Sequence, residues 1–118
     1  MPRRDDVVNF MHMLDHSREA REMVHGKVRD DLDRDRQLNL ALVRLLEIIG
    51  EAANRVPTDE RERYPDIPWY QIIGLRNRLI HGYDSVDLDI VWQIVCDDLL
   101  PLIASLEQIV RGFEDRLR

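Results

Sequence analysis

At 118 residues the chain has room for one domain with a single core, residues 1–118, and no second domain. Its 44% hydrophobic and 34% charged residues, with few glycines, prolines and aromatics, fit a soluble helical protein and exclude a collagenous, disulfide-stapled or disordered chain. A net charge of −6 disfavours a DNA-reading helix-turn-helix, because nonspecific affinity comes from neutralising phosphates; any RNA contact must use a local basic patch.

Residues 4–25 are predicted to form the first helix, with Val7, Phe10, Met11, Leu14 and Val24 as its apolar stripe and Gly26 as its terminator. His12 and His16 at i, i+4, and the run Glu22-Met-Val-His25, imitate metal-ligand spacings. A di-iron bundle needs a second E-x-x-H and further inward carboxylates, which the sequence lacks, so these are read as solvated histidines. Residues 27–36 alternate acid and base and predict a solvated loop or short exposed helix.

Residues 37–56 are the second helix, apolar nearly all round, as expected of a helix that is central or shared with another subunit. Gly50 lowers helix propensity within it and points to close approach of another backbone. Glu47 and Glu51 break the apolar pattern and are expected to be exposed, with Glu51 also a candidate partner for Arg76. Residues 57–67 hold two prolines and a charged middle, and predict a connector with one helical turn. Arg61 and Arg63 within it are candidate RNA contacts.

Pro68 suits the first turn of a third helix, which Ile72, Ile73, Leu75, Leu79 and Ile80 supply with an apolar face. This helix is expected to run to His81, with Gly82 as its left-handed cap and Tyr83 just beyond. It also carries Arg76, Asn77, Arg78 and His81, a set suited to phosphate chemistry: arginine as a fork for oxyanions, histidine as a proton carrier near neutral pH. Arg76 and His81 would lie ~140° apart on an unbroken helix, while Asn77 and His81 would share a face. Arg76 and His81 can converge if the helix unwinds at His81, or if two copies meet across a symmetry axis.

A turn at residues 84–85 leads to the last helix, starting near Asp87 as N-cap and kinked by Pro101 near Asp97. Its expected core positions include Val91, Trp92, Val95, Leu99, Leu106 and Phe113. A single cysteine, Cys96, allows no intrachain disulfide. The charged N-terminus lacks an apolar signal core, and no apolar run approaches the ~20 residues that span a bilayer, so the expected location is cytoplasmic.

The run Arg76-Asn-Arg-Leu-Ile-His81-Gly-Tyr83 resembles the Arg–x4–His–x–Tyr signature of the HEPN superfamily, specifically the HepT-like ribonuclease toxins. Ile48-Ile-Gly-Glu-Ala-Ala53, Tyr64-Pro-Asp-Ile-Pro-Trp69, Val86-Asp-Leu-Asp-Ile-Val-Trp92 and Asp98-Leu-Leu-Pro101 resemble that family's other recurrent stretches, in order and with similar spacing. Only residues 26–37 lack a recognisable counterpart.

Four main helices with short connectors give an all-α, up-and-down four-helix bundle. The resemblance implies the HEPN version of it, as a homodimer with the two signature motifs facing each other across the two-fold. It implies a metal-independent endoribonuclease without a cofactor, the toxin of a toxin–antitoxin pair. In that chemistry His81 is the acid or base, Arg76 holds the phosphoryl oxygens, Asn77 orients the phosphate or His81, and Arg78 orients the phosphate. Tyr83 is then the residue on which a cognate nucleotidyltransferase antitoxin of the MNT type places adenylyl groups. The alternative keeps the bundle without catalysis, as a binding partner or substrate-binding subunit of a nucleotidyltransferase.

Overall fold

Helix boundaries follow from local chemistry. The computed structural model describes residues 3–80 and 85–116. The first long helix, α1 (Arg4–Met23), ends in a turn where Gly26 takes a left-handed φ of 75°, as its place in the sequence suggested. A single turn, α2 (Asp31–Arg34), follows in the acid–base run and sends Leu32 into the core. The second long helix, α3 (Arg36–Arg55), starts where the Asp35 carboxylate accepts the Leu38 amide at 3.0 Å.

The connector forms the one turn expected of it, α4 (Thr58–Arg61). Two short pieces come next, α5 (Trp69–Ile73) and α6 (Leu75–Leu79). Asp87 then caps α7 (Leu88–Gln93), accepting the amides of Asp89 and Ile90 at 3.0 and 3.2 Å. After a π-helical turn at Ile94–Asp98 the chain ends in α8 (Leu99–Arg116). The all-α, four-helix arrangement expected from the sequence is the one observed, in the order α1, α3, α5–α6 and α7–α8.

The π turn lies where Pro101 was expected to disturb the last helix. Proline has no amide to offer the Asp97 carbonyl four residues back, and the ladder widens: the Leu99 amide bonds to Ile94, five residues back. Arg21 of α1 donates to the carbonyls of Val95 and Cys96 in that turn, at 3.2 and 3.4 Å.

α3 lies at the centre, packed against α1, α5, α6 and α7. Its Leu42, Leu46 and Ile49 are fully buried at i, i+4, i+7, each contributing about 1.5–3 kcal/mol of hydrophobic stabilisation. Most of the apolar surface that suggested sharing with another subunit is thus buried within the chain. Leu40, 52% exposed, is the large apolar side chain that α3 leaves open. On α1 the buried row is Phe10, Met13, Leu14, Ser17 and Ala20; Met11, expected on the stripe, faces water instead.

Phe10 organises the end of the bundle that carries α5. Its ring meets Tyr64, Trp69 and Phe113 edge-on, with centroids 5.4, 5.8 and 5.5 Å away. The Trp69 indole N–H donates to the carbonyls of Arg61 and Tyr64 at 3.1 and 3.0 Å. The first residue of α5 is therefore held by the core on one side and by the connector on the other. The close approach inferred at Gly50 is present: a Cβ there would stand 2.9 Å from the Ile72 carbonyl oxygen of α5. Among the described residues, no helix is long and apolar enough to cross a membrane.

Candidate active site

The helix expected to run from Pro68 to His81 does not do so. It is interrupted at Gly74, where ψ is 5°, and α6 ends at Leu79. Ile80 is extended (φ −102°, ψ 117°) and pairs antiparallel with Val86, while the Asp87 amide donates to the Leu79 carbonyl at 2.9 Å. The pull on Ile80 is tertiary, coming from the chain that returns to start α7. His81, Gly82, Tyr83 and Asp84 lie outside the described residues, so the expected cap at Gly82 and the placing of His81 and Tyr83 do too. Both flanks of that segment are nevertheless pinned together by this pairing. Because the helix stops two residues before His81, the ~140° separation calculated for an unbroken helix no longer applies.

Arg76, Asn77 and Arg78 are all exposed on α6, and none of their side chains makes an ion pair or hydrogen bond to another described residue. Asn77 and Arg78 line a cavity of about 630 Å³ whose other walls include Asn54, Trp69, Tyr70 and Gln71. Arg76 lines a neighbouring depression of about 180 Å³ with Glu47, Gly50 and Glu51. The two adjoin, sharing Asn54 and Ile73.

Glu51, a candidate partner for Arg76, pairs instead with Arg44 at 3.5 Å. Glu47, expected to be exposed, is half-buried and lies 3.5 Å from the same Arg44 atom. One guanidinium thus offsets both carboxylates beside Arg76, leaving its own fork available to an oxyanion. Arg61 is engaged within the chain, Nε donating to Val56 O at 2.7 Å and Nη2 to Asn54 O at 3.0 Å, and it also lines the larger cavity. These bonds satisfy carbonyls at the end of α3. Arg63 is exposed, 3.6 Å from the Glu60 carboxylate. Of the three histidines on and after α1, His12 and His25 are exposed and His16 is half-buried.

Tyr70, Gln71 and Asn54 were not singled out from the sequence, yet they wall the larger cavity. A signal was present for Tyr70: an aromatic residue off the Ile72–Leu75–Leu79 face. Asn54 carried none, since its place depends on how α3 meets α5.

Residues 13–109 match the ribonuclease HepT-like family. Two proteins of Methanocaldococcus jannaschii named "Putative RNase MJ0125" and "Putative RNase MJ1380" are similar to the chain. The first is 32% identical over 95% of this chain and 85% of its own length. The second is 36% identical over 90% and 84%. A Thermococcus cleftensis protein named "Probable ribonuclease HepT" is 37% identical over 64% of this chain and 68% of its own. No solved structure matches.

Proposed function

Because the chain belongs to the ribonuclease HepT-like family, we propose that it is a metal-independent endoribonuclease toxin that cuts RNA with Arg76 and His81 in a cleft between two copies of itself. That it is a ribonuclease follows from the family; the site, the assembly and the biological role are the proposal. The observation that carries it is Arg76, exposed and without a described partner on a helix that ends just before the chain reaches His81.

The chemistry suits these groups. An RNA 2′-oxygen attacks the adjacent phosphorus, its proton passing to a base; the 5′-oxygen leaves and takes a proton from an acid. The products are a 2′,3′-cyclic phosphate and a 5′-hydroxyl end. His81 serves as acid or base, with the second copy's histidine in the opposite role. Arg76 holds the non-bridging oxygens as charge builds on them. Asn77 and Arg78, exposed beside it, orient the phosphate.

The resemblance supports the regulatory half of the reading. A nucleotidyltransferase antitoxin adenylylates Tyr83, placing phosphate charge where the RNA backbone must bind and blocking it by occupancy and repulsion. The test is purified protein with total RNA in excess chelator. New 5′-hydroxyl and cyclic-phosphate ends support the proposal. Uncut RNA in chelator with restored cutting on adding Mg²⁺ overturns the metal-independent chemistry.

A further inference from the structure

The bundle does not explain Tyr70. Its side chain is 90% exposed and its hydroxyl bonds to no other described residue, although Trp69 before it and Ile72 after it are held in place. The ring forms one wall of the 630 Å³ cavity, a volume within the ~300–1,000 Å³ usual for small-ligand sites. Tyr70, Gly74, Asn77 and Arg78 all line it, so α5 and α6 together present an aromatic plane, an amide and a guanidinium to one cavity. Asn54 and Gln71 add two more amides. The cavity adjoins the depression lined by Arg76 through Asn54 and Ile73.

We infer that this cavity is a nucleobase subsite, in which a base neighbouring the cut phosphate stacks on Tyr70 and meets the amides of Asn54 and Gln71 with its edge. The inference rests on the nuclease reading of Arg76 and deepens it. Stacking suits this chain because every base has a π-face, so affinity is gained without the positive field that a protein of charge −6 lacks. Each amide offers both a donor and an acceptor, as a base edge requires.

The test uses a short 2′-O-methyl RNA, which cannot be cut, carrying 2-aminopurine, with the full-length wild type, Tyr70→Phe and Tyr70→Ala. Stacking quenches the fluorophore. Wild type and Tyr70→Phe should quench it; Tyr70→Ala should not, and should bind about 5–150-fold more weakly. On cleavable RNA, Tyr70→Ala should raise KM with kcat little changed, since the ring is equally engaged before and in the transition state. Unchanged binding and quenching by Tyr70→Ala overturn the subsite while leaving the nuclease standing. Tyr70-dependent quenching by a wild type that cuts no RNA sustains the subsite and overturns the nuclease reading instead. A Tyr70→Ala protein of halved mass by light scattering assigns the ring to an interface between copies, and also overturns the inference.

Discussion

Gly50 on α3 and Ile72 on α5 approach so closely that a Cβ on the glycine would stand 2.9 Å from the Ile72 carbonyl oxygen, a separation real Cβ atoms do not tolerate. The neighbouring atom is backbone, so relief requires α5 to move as a unit. α5 leads directly into α6, which carries Arg76.

Gly50→Ala should therefore lower both stability and activity. The helix interior gains about 1 kcal/mol of propensity, but overpacking costs about 1–3 kcal/mol. A net loss of about 1 kcal/mol in urea unfolding is expected, together with a fall in RNA cleavage larger than that loss explains. A variant more stable than wild type with full activity would show that the approach is not constraining.

Cys96 gives the fold an alkaline dependence. Burial pushes its thiol above the ordinary value of 9.0, with Asp97 adding to the shift and Arg21 opposing it. The folded state thus favours the neutral thiol. The associated stability is fully present below the unfolded value and is lost as pH rises through the folded one. Between pH 8 and pH 10.5 the wild type should lose more stability than Cys96→Ser does. Parallel losses would mean the thiol is indifferent to folding.

Parts of this architecture are legible in the residues and parts are not. Gly26, Gly50, Asp87 and Pro101 act where they stand, because caps, close approaches and missing amides are local chemistry. The end of the third helix is different. The sequence put its stop at Gly82, but the helix ends at Leu79, where Ile80 pairs with Val86 instead. The intrachain bonds of Arg61 were equally unreadable, since the carbonyls it satisfies belong to the end of another helix. Tyr70 is the converse case: only the packing of Trp69 and Ile72 shows that the ring between them is left bare.

Tyr83 should act as a regulatory acceptor and not as a catalytic base, since a phenol titrates near ~10 and is a poor base at neutral pH. Tyr83→Phe should keep most of the nuclease activity. Incubation with a cognate nucleotidyltransferase and ATP should add AMP masses to the wild type and none to the variant. Equal modification of both would place the acceptor elsewhere.

The proposed cleft between copies predicts its own signature. Light scattering at micromolar concentration should give roughly twice the 14.0 kDa chain mass. Mixed Arg76→Ala and His81→Ala chains should regain activity if each site takes its arginine from one copy and its histidine from the other. No recovery would mean that each site needs both groups from one chain or both histidines together.

The most direct measurement is the single-turnover rate of RNA cleavage in chelator by wild type, Arg76→Ala and His81→Ala, each first shown by circular dichroism to be folded. Losing the proton carrier should slow His81→Ala by about 10²–10⁴-fold, and Arg76→Ala should also fall sharply. Cleavage by folded His81→Ala at close to the wild-type rate would contradict the account.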